Sequence, residues 1–520
     1  MEARWSSSST ARSKEKDPEI VLSINEVVEP APTLYQVSML KRYTNWLDAW
    51  MNSQGLEVHG IEPTTQEQRT DERIYQVFFV WFSANVNIQS FACASIGPAV
   101  FGLGVRTSMI ACAITDVIAC LFPAYFAVFG PKLGTRAMVQ SRFSWGYYGA
   151  IIPSCLNVLT MEGYSVINCI IGGQTLGAVS SHLNATLGIV ITGILSLAVT
   201  FCGYKMVHWF EMLSWVPNVL GIITMLAVGG KRVASVPIND PTPASAAPIM
   251  TFMSTVVVFI VSWCAIAPDY SVFHSYKASS IKIFLYAYLG LLTSSLLMHL
   301  MGSAFTAAAL HVPEWRDGLG NGNDVGGLVA AVLSGAGGWG KFLVVAMALT
   351  TPSASALSMY SVCTSFMTIS TAFARIPRFI LAIVSTVILI PVGIVGAIHF
   401  YDTFVQILSF MGYWLGPYIG IVLTEHFLFR RSWADYQVEE AWNKPRHPNL
   451  PSAWPAVFAF VTSIGLIVVC MSQDEWTGPI ASAGTGDIAM IVSFVYCILV
   501  YAIARLCEKK WTMRRIIMKN

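Results

Sequence analysis

Charged residues are scarce in this chain. Asp, Glu, Lys and Arg make up 12% of the 520 residues, whereas hydrophobic residues make up 55%. A soluble globular protein carries roughly 25% charged residues, so this chain has too little polar surface to face water on every side. The composition excludes a soluble protein and indicates that lipid bilayer surrounds most of the chain.

Several motifs are absent as well. No two cysteines have CxxC spacing and no His/Cys set has zinc-site spacing, so the eleven cysteines are interpreted as small buried apolar residues. No HExxH motif, histidine cluster, or Ser/Lys or Asp/Asp dyad occurs in the apolar stretches, which argues against an enzyme. The basic residues form no single patch, so nucleic acid is not an expected partner. We expect neither a metal nor a cofactor.

Apolar stretches of the length that a bilayer requires, about 20 residues, recur along the chain. We number these twelve stretches spans 1 to 12. They lie at 76–100, 105–129, 148–172, 186–204, 210–229, 250–270, 281–309, 342–366, 378–399, 403–428, 453–472 and 486–507. With the N-terminus in the cytosol, 26 of the 31 Lys and Arg residues fall on the inner side. We therefore predict an all-α polytopic membrane protein of twelve transmembrane helices with both termini cytosolic.

Spans 1 and 6 contain features that a plain lipid-facing helix does not. Span 6 has Pro268 and Asp269 after its apolar run. Polar groups and helix breakers at membrane depth are tolerated where they meet protein or line a cavity, and breaks in corresponding segments of two halves are typical of transporter sites between inverted repeats. One break alone would be ordinary. The corresponding features of span 1 are Ser83, Asn85, Asn87 and Gln89 in its middle and Gly97-Pro98 further on.

The corresponding breaks in spans 1 and 6 divide the core of the protein into two repeats of five spans. Residues 73–508 are predicted to form the twelve-helix domain, with a first repeat at about 76–229, a second at about 250–428 and extra helices at about 453–507. Residues 1–72 are predicted to be a cytosolic, largely disordered tail without a signal peptide, since 1–33 are rich in Ser, Glu and Pro. Within it, 38–54 have helical apolar spacing and are expected along the inner leaflet. Residues 509–520 are a cytosolic C-terminal tail.

Ionisable residues inside the spans are candidates for proton coupling. Glu162 lies in the middle of span 3, Asp116 in span 2, Asp269 in span 6 and His299 in span 7. An acidic group at the bilayer centre costs about 2.5–3.5 kcal/mol, so it is a functional hypothesis by default. Burial favours the protonated form, and Glu162 is the leading candidate to take up and release a proton. The alternative is a protonated or paired Glu162 that braces a helix contact.

Two other groups of polar or aromatic side chains are notable. Tyr164, Asn168 and Trp263 lie beside the expected cavity, where an aromatic face can stack on a flat ring. An amide such as Asn85 or Asn168 has both a donor and an acceptor, which match the edge of a nucleobase. In contrast, Glu425 and His426 at the inner end of span 10 are expected to extend to the membrane interface.

Five stretches of the chain resemble the fungal purine-cytosine permease branch of the nucleobase:cation symporter-1 family. They are WFSANVN (81–87), GYSVINCIIGGQTL (163–176), SWCAIAPDYSVF (262–273), RIPRF (375–379) and GYWLGPYIGIVLTEHFLFRR (412–431). The resemblance implies a leucine-transporter-type fold with a 5+5 inverted-repeat core plus two helices. It also implies a plasma-membrane symporter that takes up adenine, guanine, hypoxanthine or cytosine with a proton as the coupling ion.

The resemblance also assigns site residues. The family's span-1 Ser and Asn fall on Ser83 and Asn85, its span-3 Asn on Asn168 and its span-6 Trp on Trp263. Asn87 and Tyr164 complete the expected site in these spans, although Tyr164 stands where the family usually has Trp.

Span 8 departs further from the family pattern. A motif resembling Asn-Asn-x-Pro-Asn-Met-Tyr-Ser is here Ala-Ser-Ala-Leu-Ser-Met-Tyr-Ser at 354–361. Ser353 and Ser358 are the remaining polar candidates, and Pro352-Ser353 could replace the missing break. Because lost hydrogen-bond partners weaken nucleobase binding, two alternatives stay open. One is a transporter of another heterocyclic metabolite or vitamin, and the other is a nutrient sensor that does not transport.

Overall fold

The computed structural model describes residues 60–180, 182–201, 203–238, 244–320, 322–430 and 432–517, and the side chains of all of these except 203–212 and 512–517. The tail segments predicted at 1–33 and 38–54 lie outside this range. Within it, regular secondary structure is helical, and extended pairing is confined to two isolated bridges. The prediction of an all-α protein is confirmed.

Every predicted span coincides with helical structure. Eight described helical segments are long and apolar enough to cross a bilayer, and one of them, Arg378–Phe429, contains both span 9 and span 10. The bent pair of helices in span 1 and two shorter apolar helices complete the twelve predicted spans. The spans formed by one main helix are Ile151–Gly177 (span 3), Ala185–Phe201 (span 4), Gly203–Ser235 (span 5), Ser280–Ala309 (span 7), Arg378–Gly396 (span 9), Phe400–Thr424 (span 10), Trp454–Cys470 (span 11) and Ala489–Ile517 (span 12).

Span 2 consists of Val105–Ala119 followed directly by Leu121–Leu133. The helix of span 12 continues to Ile517, so most of the predicted C-terminal tail extends that helix.

Span 1 is interrupted in its middle. Its helices, Gln76–Asn85 and Ile88–Ala99, are bent by 51° relative to each other. Asn87 caps the second helix, because its Oδ1 accepts from the Ser90 N–H (2.8 Å) while its Nδ2 donates to the Ala84 carbonyl (2.7 Å). Gly97-Pro98 does not break the span, since both residues lie inside the second helix.

Span 6 is interrupted at the corresponding place in the second repeat. The helix Ala246–Val261 gives way to a 3₁₀ turn at Ser262–Ala265, and a short helix, Ala267–Ser271, follows. Ile266 between them has φ −135°, outside the helical region, and Pro268 lies in the first turn of the short helix. The predicted interruptions five spans apart are therefore present.

Span 8 is broken too, and a further helix precedes it. Gly337–Ala348 and Thr351–Ile369 form the span, and the second helix begins around Pro352. Before them lies a further helix, Val325–Leu333, capped by Asp324, whose Oδ1 accepts from the Gly327 N–H (2.6 Å). This nine-residue helix is too short to cross a bilayer by itself.

The expectation for the inner end of span 10 was wrong. The Glu425 side chain is 2% exposed, and its two oxygens pair with Arg430 Nε and Arg505 Nε, each at 3.1 Å. His426 is also buried, and its Nδ1 lies 2.9 Å from the Tyr436 hydroxyl. Two arginines, one five residues away and one 80 residues away, hold Glu425 inside the protein, and Tyr436 holds His426 there.

Residues 60–72, which the sequence places in the N-terminal tail, pack against the C-terminal ends of spans 2 and 6. The buried Arg69 donates from Nη1 to the Pro131 carbonyl (2.7 Å). The Asp71 N–H donates to the Phe273 carbonyl (3.3 Å), just after the short helix of span 6. This part of the tail therefore covers the C-terminal end of an interrupted span.

Candidate functional site

The interruptions in spans 1, 6 and 8 surround a cavity, with spans 3 and 5 completing its wall. The empty space of this cavity, together with its part open to solvent, is about 580 Å³. The polar residues that line it are Ser83, Asn87, Gln89, Tyr164, Asn168, Ser214, Asn218, Ser262, Thr350, Ser353 and Ser358. The apolar residues that line it are Ala84, Met161, Phe259, Trp263, Ile266, Ala354 and Leu357.

The structure brings most of the sequence-predicted site residues together. Seven of the eight candidates line the cavity: Ser83, Asn87, Tyr164, Asn168, Trp263, Ser353 and Ser358. They come from four spans that lie between positions 83 and 358 of the chain, and the broken backbone of spans 1, 6 and 8 leaves the space between them.

Asn85 is the exception, since it does not line the cavity. It is 1% exposed, and its Oδ1 accepts a hydrogen bond from the Trp263 indole Nε1 (3.1 Å). Trp81 packs edge-on against the same indole with 5.5 Å between ring centroids. Asn85 therefore fixes the orientation of Trp263, whose ring lines the cavity.

Tyr164 connects span 3 to the interruption of span 6. Its hydroxyl donates to the Phe259 carbonyl (3.1 Å) and lies 2.8 Å from the Ser262 hydroxyl. Its ring packs edge-on against Phe259 at 5.9 Å. The hydroxyl is occupied by these contacts, so Tyr164 offers a ligand its ring rather than a hydrogen bond.

Three lining residues have buried polar atoms without a hydrogen-bond partner in the described part of the chain. These atoms are Gln89 Nε2, Asn218 Oδ1 and Ser353 Oγ. The other end of the Asn218 amide is fixed, because Nδ2 donates to the Ser214 carbonyl (2.9 Å) and to Thr350 Oγ1 (3.1 Å). Buried polar groups are nearly always paired. A donor, an acceptor and a hydroxyl are therefore available to a ligand.

Sequence reasoning did not place Gln89 or Asn218 in the site. Both are amides within predicted spans, and Asn218 directly follows Pro217 in span 5. The rule that singled out Asn168 applies equally to them, so a signal was present.

The three acidic candidates have different surroundings. Both Asp116 oxygens lie near His299 Nδ1, at 2.8 and 3.1 Å, and both side chains are fully buried. The His299 ring packs edge-on against Phe259 at 5.8 Å. Because Phe259 lines the cavity, the Asp116–His299 pair lies one side chain behind the cavity wall.

Glu162 and Asp269 are not brought to the cavity wall. Glu162 faces span 9, where its Oε2 accepts from the Ser385 hydroxyl (2.6 Å). Asp269 Oδ1 accepts from the Ala137 N–H (2.7 Å) at the C-terminal end of span 6. Among the residues that the structure describes, no group of three or more His, Cys, Asp or Glu side chains could hold a metal ion.

Comparison with known proteins shows where this architecture occurs. Purine-cytosine permease fcyB of Emericella nidulans is 32% identical over 460 residues, which cover 88% of this chain and 89% of the relative. Purine-cytosine permease FCY2 of Saccharomyces cerevisiae is 31% identical over 482 residues, covering 90% and 89%. The resemblance to the fungal purine-cytosine permeases is confirmed.

The solved structure of Mhp1, a nucleobase-cation-symport-1 family transporter in a closed conformation with bromovinylhydantoin bound, is also similar. The TM-score is 0.64 at 18% identity, and the likeness covers 87% of this chain and 95% of Mhp1. This likeness confirms the leucine-transporter-type fold with a 5+5 inverted-repeat core and two further helices.

The family model described as a permease for cytosine/purines, uracil, thiamine and allantoin matches residues 63–493. This chain belongs to that family, and it is a multi-span secondary transporter rather than an enzyme.

Proposed function

We propose that this protein carries a nitrogen heterocycle of nucleobase size across the plasma membrane together with a proton, with both termini in the cytosol. The observation that carries the proposal is the cavity at the broken centres of spans 1, 6 and 8, with unpaired polar atoms on Gln89, Asn218 and Ser353. Relatives named as purine-cytosine permeases and the hydantoin bound to Mhp1 support a heterocyclic substrate.

The lining suits a flat ring with hydrogen-bonding edges. The Trp263 indole, fixed by Asn85, supplies a stacking face, and base–aromatic stacking contributes about 1–3 kcal/mol per base. Asn168 and Asn218 supply amide groups, and Gln89 supplies an N–H donor. A site that pairs these buried groups discriminates against rings that lack the matching donor or acceptor.

For proton coupling we propose the Asp116–His299 pair, ahead of Glu162, which the sequence favoured. The pair is fully buried and reaches the cavity wall through Phe259, whereas Glu162 contacts Ser385 of span 9. A proton taken up by a buried pair changes its charge and so alters which packing of spans 2 and 7 is favoured. Three thiols, those of Cys93, Cys112 and Cys120, are the other titratable groups close to Asp116.

The energy available from one proton is sufficient for accumulation. Moving one elementary charge across 100 mV supplies about 2.3 kcal/mol. At about 1.4 kcal/mol per tenfold, this supports roughly 40-fold accumulation before any pH gradient is counted.

The proposal is tested by uptake of labelled adenine, cytosine and hypoxanthine in yeast cells that lack their own nucleobase permeases. We expect Asn168→Ala and Trp263→Ala to abolish uptake while the protein still reaches the cell surface. Trp339→Ala is the matched control, because Trp339 is 51% exposed and is not among the residues that line the cavity. Normal uptake kinetics in both cavity variants would mean that the site is misplaced.

Proton coupling has its own measurement. A protonophore should collapse uptake, and Asp116→Asn should retain substrate counterflow in liposomes while losing accumulation. Glu162→Gln serves as the comparison, and it should retain accumulation if Asp116 and His299 carry the proton. Accumulation that resists a protonophore contradicts symport, and ligand binding without counterflow identifies a sensor instead of a transporter.

A further inference from the structure

Spans 3 and 8 face each other in an antiparallel register that two contacts determine. Asn157 Nδ2 donates to Ser365 Oγ (2.8 Å) near one end. Near the other end, a Cβ on Gly172 would lie 2.4 Å from Thr351 Oγ1. Asn168 is four residues before Gly172, so it is level with residue 355, four residues after Thr351.

Between Ser353 and Ser358, span 8 presents two hydrocarbon side chains to the cavity. Ala354 and Leu357 line it, and neither side chain has a polar atom. One turn further along, the Ser358 hydroxyl donates to the Ala354 carbonyl (3.2 Å). The Thr350 hydroxyl, one turn before, donates to the Met347 carbonyl (2.7 Å) and accepts from Asn218.

The unpaired polar atoms are distributed unevenly around the cavity. Gln89 and Asn218 belong to spans 1 and 5, and Ser353 is the one side chain of span 8 among the unpaired lining atoms described. Met161 and Ile266 add further apolar side chains to the cavity lining. A ring with donors and acceptors on every edge would leave a polar group that faces Ala354 and Leu357 unpaired, and an unpaired buried polar group opposes binding.

We infer that the preferred substrate is a nitrogen heterocycle with an apolar substituent, and that the substituent packs against Ala354 and Leu357. The inference rests on the proposed function, because it assumes that this cavity binds the transported ring. The polar edge of the ring pairs with the amides of spans 1, 3 and 5, while the substituent removes the apolar wall of span 8 from water. Ala354 and Leu357 are then the residues that set specificity.

The test measures, by titration calorimetry, how tightly the purified full-length protein binds heterocycles with and without an apolar substituent. The compounds are compared in matched pairs. The pairs are adenine with N6-propyladenine and uracil with 5-propyluracil, so that two ring types with different substituent positions are compared. For at least one pair we expect the propyl compound to bind about tenfold more tightly, as expected for an apolar group that fills an apolar pocket. Leu357→Asn should remove this preference, and Leu357→Met should keep it.

A second variant keeps the test valid if the Leu357→Asn protein does not fold. Ala354→Ser adds one hydroxyl with little volume, and it should reduce the preference for the propyl compound in the same direction. The inference is overturned if the wild-type protein binds the parent bases equally well or better, or if none of the polar variants changes the preference. Tight binding of parent bases alone leaves the proposed function standing, whereas binding of no heterocycle at all removes both.

Discussion

Replacing Glu425 by Gln should destabilise this protein far more than the same replacement of Glu314. Both glutamates pair with arginine at similar distances, Glu425 with Arg430 and Arg505 at 3.1 Å and Glu314 with Arg232 at 3.2 Å. Their exposure differs, because the Glu425 side chain is 2% exposed and that of Glu314 is 69% exposed. The two variants therefore isolate the effect of burial on one kind of ion pair.

The magnitude follows from what each variant leaves behind. Glu425→Gln leaves the Arg430 guanidinium buried without this neutralising charge and leaves Arg505 with Glu508 as its remaining acidic partner. Removing one partner of a buried pair costs about 3–5 kcal/mol. Tyr501 loses a charged acceptor as well, since its hydroxyl donates to Glu425 Oε2 (2.9 Å). An exposed pair contributes about 0–1 kcal/mol because water and salt screen it, so Glu314→Gln should be nearly neutral.

The assay is thermal unfolding of the purified variants in detergent, with cell-surface abundance measured in parallel. Glu425→Gln should unfold at a clearly lower temperature and reach the surface in smaller amounts, while Glu314→Gln should match the wild type. Raising the salt concentration should not narrow the difference, because the Glu425 cluster is shielded from solvent ions. Equal unfolding temperatures for the two variants would refute the reasoning that burial makes this cluster essential.

Two further predictions concern packing and positioning. Gly302→Ala should lower thermal stability by about 1–3 kcal/mol, because its Cβ would lie 2.2 Å from the Phe91 carbonyl oxygen, a backbone atom that cannot move aside. Gly465→Ala, which meets nothing within 4 Å, is its control, and equal stability of the two would contradict the close contact. Asn85→Ala should raise KM for uptake by several-fold, since a hydrogen bond of about 0.5–1.5 kcal/mol to Trp263 is lost. Complete loss of uptake, as in Trp263→Ala, would instead indicate that Asn85 contacts the ligand.

The main features of the fold could be predicted from the sequence because the bilayer imposes simple requirements. Each crossing needs a long apolar stretch, and basic residues collect on the cytosolic side. The polar residues Ser83, Asn85 and Asn87 also indicated in the sequence that span 1 is interrupted. The place of the break was less predictable. Pro98 is the stronger breaker by composition, yet it lies within a helix, and Asn87 supplies the cap that starts the second helix.

The candidate site was predictable in part for the same reason. An amide in an apolar span is costly, so Asn168 could be singled out from composition alone. The direction in which a side chain points could not be predicted from the position of its span. Asn85 was expected in the site, but its amide holds the Trp263 indole, while Gln89, one turn further on, lines the cavity.

The sequence by itself determined the number of crossings, the family and the spans that surround the site, because these depend on local apolar length, loop charge and short motifs. Only the tertiary structure decided which buried groups meet. Asp116 pairs with His299, which is 183 positions later in the chain, and Glu425 pairs with Arg505, which is 80 positions later. The desolvation of an ionisable group is a local property that composition reveals, whereas the partner that compensates it is supplied by the packing of distant helices.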